Sequence, residues 1–79
     1  QDTETPVISS RKSGNLLVMR TEVGLASRVA YQIDALDLEE VLGTVAGDDT
    51  LLVVIAEKED MDRVRDSILE GLQQRTGRG

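Results

Sequence analysis

Cysteine and histidine are both absent from the 79 residues, and the aromatic content is 1%, a single Tyr with no Phe or Trp. Without Cys there is no disulfide and no thiolate metal site to staple the chain. Without His, imidazole acid–base catalysis and the usual zinc chemistry are excluded. The core must be aliphatic. A chain this short buries only about 60% of the surface its unfolded form exposes, and small unstapled chains often gain stability by self-association. Long apolar runs are missing too, so nothing is expected to span a membrane, and Gln1 to Thr5 shows no signal-peptide pattern. With the lack of Cys, this fits a cytoplasmic protein. A basic patch is likewise missing: the net charge is −6 and the arginines are scattered. Duplex binding by these residues alone is not expected, and cationic ligands suit the charge better. There is no phosphate-binding glycine loop and no serine in a nucleophile-elbow context. The only enzyme reading left is a hydrolase working through carboxylates alone.

What is present is a regular pattern of short elements. Gln1 to Pro6 reads as a linker containing the only Pro. Val7 to Ser10 is a short strand, Arg11 to Gly14 a turn, and Leu16 to Met19 an apolar strand. Gly24 opens a helical pattern in which Ala26, Val29, Ala30, Ile33 and Leu36 share one face, with Thr21 or Glu22 as N-terminal cap or dipole partner. Val41 to Val45 and Leu51 to Ala56 are strands, the latter rich in β-branched residues. A closing helix runs from Asp60 to Leu72, with Met61, Val64, Ile68 and Leu72 on one stripe and Leu69 beside it. Gly71 weakens its end, and residues 73–79 form a flexible polar tail.

The order β-β-α-β-β-α predicts an α+β two-layer sandwich: a four-stranded, mainly antiparallel sheet with two helices on one face. The domain is expected over residues 7–72. Strands 16–19 and 51–56 are apolar on both faces, yet the helices can cover only one. Either the pattern is imperfect on a central strand pair, or the second face meets another subunit.

The distinctive stretch is Gly43-Thr44-Val45-Ala46-Gly47-Asp48-Asp49-Thr50. One account is a hairpin connection in which Gly47 supplies an unusual φ and Asp tolerates the turn. The other starts from two adjacent carboxylates, Asp48 and Asp49, which repel each other between apolar strands. A guanidinium or ammonium ligand would relieve that, and a guanidinium matches a carboxylate with two parallel hydrogen bonds. Glu57, Glu59, Asp60 and Asp62 lack the spacing of a calcium loop and read as a solvated helix start.

The segment from Leu42 to Leu51 resembles the signature of the C-terminal domain of bacterial arginine repressors, a Gly-Thr-(Ile/Val)-x-Gly-Asp-Asp-Thr run between two strands. Gly24, Ala26 and Asp34 fall where that family's helix has its Gly, its small residue and its acid. Asn15 to Thr21 and Asp60 to Leu72 resemble the flanking strand and the closing helix, so the likeness covers about Val7 to Leu72. Two positions differ from the usual family pattern: Val23 stands in place of Pro, and Ser27 in place of an amide that contacts the ligand.

The resemblance implies a non-enzymatic, metal-free sensing and assembly domain with L-arginine as corepressor. Its site residues would be Asp48, Asp49, Asp34, Ala46, Thr44 and Ser27. The partners implied are other copies of the chain, as trimers that pair into hexamers with arginine between the trimers. Operator DNA would be contacted only through an N-terminal domain outside this chain, of which Gln1 to Pro6 would be the linker remnant. Two other functions remain at this point: the same fold binding ornithine, citrulline or lysine, and an oligomerisation domain with no ligand.

Overall fold

The computed structural model describes residues 7–77, with side chains as far as Gln73. The expected linker, Gln1 to Pro6, and the last two residues of the expected tail lie outside the described residues. The elements are β1 (Val7–Ser13), β2 (Leu16–Thr21), α1 (Ala26–Leu36), β3 (Val41–Ala46), β4 (Thr50–Ile55) and α2 (Met61–Gly77). The expected element order holds. β1 is longer than the strand predicted over Val7 to Ser10, because the turn tightens to Gly14 and Asn15. Gly14 has φ 61°, as the first central position of a two-residue hairpin turn requires. α2 continues past the expected end at Leu72.

The four strands form one sheet in the order β1-β2-β4-β3, with every neighbouring pair antiparallel. Alternation along the strands turns Leu17 and Met19 of β2 and Leu51, Val53 and Ile55 of β4 to one face, where all are fully buried. Both helices supply the other half of that core: Ala26, Val29, Ala30 and Ile33 from α1, and Val64, Ile68 and Leu72 from α2. Their spacings of three and four make each an apolar stripe. Met61 and Leu69 pack half-buried against this core, and Leu36 is half-buried at the end of α1.

No described helix covers the opposite face. Register places Leu16 against Val54, Val18 against Leu52, and Val45 against Leu52, so these side chains form a contiguous apolar surface. Val45 is 64% exposed. Arg20 follows fully buried Met19 in β2 and so points to this same open face, at its edge.

The helix ends have identifiable causes. Asp60 Oδ1 accepts from the backbone N–H of Asp62 at 3.1 Å and of Arg63 at 3.2 Å, which caps the start of α2. α1 stops at Asp37, which takes the left-handed conformation at φ 55°. The start of α1 differs from expectation. Its N-cap position is Leu25, which makes no side-chain cap, and Thr21 is buried with its hydroxyl donating to the Glu22 carbonyl. Neither Thr21 nor Glu22 caps the helix with its side chain; the first amide, that of Ala26, is satisfied from another part of the chain. Among the described residues no helix is long and apolar enough to cross a membrane.

Candidate functional site

The loop between β3 and β4 carries Gly47, Asp48 and Asp49. Gly47 N–H donates to the Thr50 carbonyl at 2.8 Å and closes the hairpin. Gly47 is not in the left-handed region, contrary to the unusual φ expected of it; among the described glycines only Gly14 and Gly24 have positive φ. The loop is shaped by what it docks against. The Asp48 carbonyl accepts from the N–H of Gly24 at 3.0 Å and of Ala26 at 3.3 Å, and the Asp49 carbonyl accepts from Thr21 N–H at 2.8 Å. The Asp48 carbonyl thus satisfies the first amide of α1, that of Ala26, at the helix end where a side-chain cap was expected. Gly24, at φ 87°, is the position where the chain turns from β2 toward α1.

The two acids then differ. Asp49 is half-buried: Thr50 Oγ1 donates to its Oδ1 at 3.0 Å, and Arg20 Nη2 donates to its Oδ2 at 3.1 Å. The Thr50 hydroxyl first, and the Arg20 guanidinium second, hold the Asp49 carboxyl below its ordinary range. Asp48 is exposed, and its carboxylate makes no hydrogen bond or ion pair among the described residues.

The other site residues expected from the sequence line the surface between α1 and the edge strand β3. Thr44 and Ala46 pair with Val53 and Leu51, which places them on the helix side of the sheet. Thr44 Oγ1 donates to the Asp34 carboxylate at 3.1 and 3.2 Å, tying β3 to α1. Ser27 is exposed one residue after Ala26. Asp34 lies eight residues beyond Ala26, roughly 12 Å along the helix, so it stands well away from the end of α1 where Asp48 docks.

Tyr31 was missed by the sequence reading. It lies between Ser27 and Asp34 at spacings of four and three, on the same exposed side of α1, and is 78% exposed. That spacing was available in the sequence. Arg20 was missed as well, because its proximity to Asp49 depends on strand register.

A single chain does not enclose a ligand here. The hollow beside Asp34, lined also by Asp37, Val41 and Leu42, holds about 80 Å³, against the ~300 Å³ or more of ordinary small-molecule sites. A larger hollow of about 430 Å³ lies between β1 and α2, lined by none of these site residues.

The model of the arginine repressor C-terminal domain family matches residues 4–70. The chain belongs to that family. Among proteins named arginine repressor, that of Alkaliphilus metalliredigens is 42% identical over 60 residues, 76% of this chain and 40% of that protein. That of Bacteroides thetaiotaomicron is 48% identical over 58 residues, 73% of this chain and 37% of that protein. That of Thermus thermophilus is 47% identical over 55 residues, 70% of this chain and 34% of that protein. The chain therefore spans about two fifths or less of the length of these curated relatives. The matched residues include the Gly-Asp-Asp-Thr run and all four strands.

Proposed function

We propose that this chain is the L-arginine-sensing and assembly domain of an arginine-dependent transcriptional regulator of arginine metabolism. The observation that carries the reading is the β3–β4 loop: its main chain is docked on the start of α1, while the Asp48 carboxylate is exposed and has no partner among the described residues. An open carboxylate on an anchored main chain is a receptor for a cation and binds a guanidinium through two parallel hydrogen bonds. Asp49 stands beside it with its charge offset by Arg20, Ser27 offers a hydroxyl on the adjoining helix, and Thr44 with Asp34 and Ala46 forms the wall along β3.

The ligand lies between copies of the chain, which supply the enclosure that one copy lacks. Exposed apolar side chains surround the site: Val23 at 76%, Tyr31 at 78% and Leu42 at 67%. Patches of this kind mark contact surfaces. Trimers that pair into a hexamer, with arginine between them, use both this surface and the open face of the sheet. Self-association and arginine sensing are non-enzymatic and need no metal. Operator DNA is contacted by a separate domain, since the net charge of −6 makes these residues a poor partner for phosphates. The regulator acts in the cytoplasm.

Titration calorimetry with L-arginine, L-ornithine, L-lysine and the uncharged L-citrulline tests the reading. Arginine is expected to bind most tightly. Asp48→Asn is expected to weaken it about tenfold to a hundredfold, the loss of one charge-assisted contact. Asp49→Asn weakens it in the same direction, while Asp62→Asn, at the start of α2, leaves it unchanged. Preference for another member of the panel would make this a sensor of that amino acid. No binding to any of them would leave a purely structural assembly domain.

A further inference from the structure

The only aromatic side chain of this protein is not in its core. The buried hydrophobic residues are Ala, Val, Leu, Ile and Met alone, while Tyr31 is 78% exposed. An aromatic ring is a large contribution to a core when buried, and here that contribution is forgone. One exposed apolar side chain needs no explanation by itself. Position is what gives this one a role.

Ser27, Tyr31 and Asp34 are all exposed, at spacings of four and three along α1, so they are neighbours on one side of the helix. A long side chain on a helix leans toward the helix N-terminus and covers the preceding turn. The Tyr31 ring therefore leans toward Ser27 and the start of α1, where the Asp48 carbonyl accepts from Gly24 and Ala26. Tyr31 is five residues past Ala26, roughly 7–8 Å along the helix axis. The ring thus stands between two acids: Asp48 toward the start of the helix and Asp34 one turn further on. Its hydroxyl makes no hydrogen bond among the described residues.

We propose that the face of the Tyr31 ring stacks on the guanidinium of an arginine held at Asp48. The proposal rests on the cation-binding reading of the loop. A guanidinium has two kinds of surface. Its N–H groups point outward in the plane, where a carboxylate meets them with two parallel hydrogen bonds. Its two faces carry no donors and are weakly hydrated, and they stack on aromatic rings. The ring's negative face attracts the cation as well. A carboxylate at the edge and a ring on the face are therefore compatible contacts on one group. Tyr31 supplies the flat apolar contact that neither Asp48 nor Ser27 offers.

Calorimetric titration with L-arginine on the parent, Tyr31→Phe and Tyr31→Leu tests this. The protein concentration is one at which light scattering gives the same assembly for all three, with and without arginine. Tyr31→Phe keeps the ring face and is expected to match the parent. Tyr31→Leu keeps an apolar side chain without a ring. It is expected to bind about two- to fivefold more weakly, the scale of an exposed cation–π contact. With no Trp and no second Tyr in the chain, Tyr31 is also the sole source of its intrinsic fluorescence from those residues. Saturating L-arginine is expected to change that emission in the parent, with the midpoint that calorimetry gives. Three results overturn the proposal: Tyr31→Leu binding as tightly as the parent, Tyr31→Phe losing as much as Tyr31→Leu, or parent emission indifferent to bound arginine. The second would make the hydroxyl, not the ring face, the contact. If the parent binds arginine and any of these is found, only the Tyr31 proposal falls. If the parent does not bind arginine, the cation-binding reading falls and takes this proposal with it.

Discussion

Among the described residues, three carboxylates are held below their ordinary range, each by a different set of neighbours. Asp49 is lowered by the Thr50 hydroxyl and then by Arg20. Glu40 is lowered by a backbone hydrogen bond and then by Arg63, whose Nη2 lies 3.2 Å from its carboxylate. Asp62 is lowered by Lys12 at 2.9 Å. A carboxyl with a lower pKa folded than unfolded stabilises the fold while it is ionised. That contribution is complete above the unfolded value of about 4 and is lost as pH falls through the folded value. The urea midpoint is therefore expected to be nearly level from about pH 8 to pH 5 and to fall below about pH 4. Asp62→Asn should make the acid fall shallower, because one of the three contributions is gone. Equal acid sensitivity in the parent and in Asp62→Asn would remove the Lys12 pair from the account.

The two helices approach closely at one glycine. A Cβ placed at Gly71 would lie 2.8 and 2.9 Å from the Cδ atoms of Leu36. A helical Gly costs about 1 kcal/mol relative to Ala, so the helix–helix contact explains a residue that local propensity disfavours. Leu36 is half-buried at the end of α1, and the atoms met are the far end of its flexible side chain. Gly71→Ala is therefore expected to be close to neutral in urea unfolding, the helix propensity gained offsetting the displacement of Leu36. Gly71→Val brings a branched group into the same space and should cost about 1–3 kcal/mol. Adding Leu36→Ala should recover part of that cost, since the two residues compete for one volume. Strict additivity of the two substitutions would show that α1 and α2 do not meet in this way in solution.

At the scale of the molecule, the decisive feature is the asymmetry of the sheet. One face carries five fully buried strand residues under two helices, and the other carries Leu16, Val18, Val45, Leu52 and Val54 with no described cover. Burying a fully exposed aliphatic side chain is worth about 1.5–3 kcal/mol; of these five only Val45 is exposed and the others are half-buried, so a cover over this face gains a fraction of that at each residue. Light scattering on a size-exclusion column is expected to give trimers or hexamers, depending on arginine and protein concentration. Val45→Glu, on the exposed edge strand, is expected to shift the protein toward monomer while its circular dichroism spectrum stays that of the parent. A parent that stays monomeric at high concentration with arginine present would rule out assembly through this face.

Periodicity alone determined much of this protein. Spacings of three and four around Val29 and Ile33, and around Val64 and Ile68, identified both helices and the faces they bury. The apolar runs at Leu16 and Leu51 marked the two central strands, and their lack of alternation pointed to a sheet with two apolar faces. The Gly-Asp-Asp-Thr run marked the loop and the family. These are local properties, carried by residues a few positions apart. Only the tertiary structure decided which neighbours those residues have. The order β1-β2-β4-β3 sets Arg20 across from Thr50, a pairing of residues far apart in sequence. It therefore decided that Asp49 is neutralised within the chain while Asp48 stays open. It also placed the Asp48 carbonyl at the start of α1, where a side-chain cap was expected, and brought Thr44 to Asp34. Alternation along a strand tells which face a side chain occupies, but register and strand order follow from the packing of the whole core.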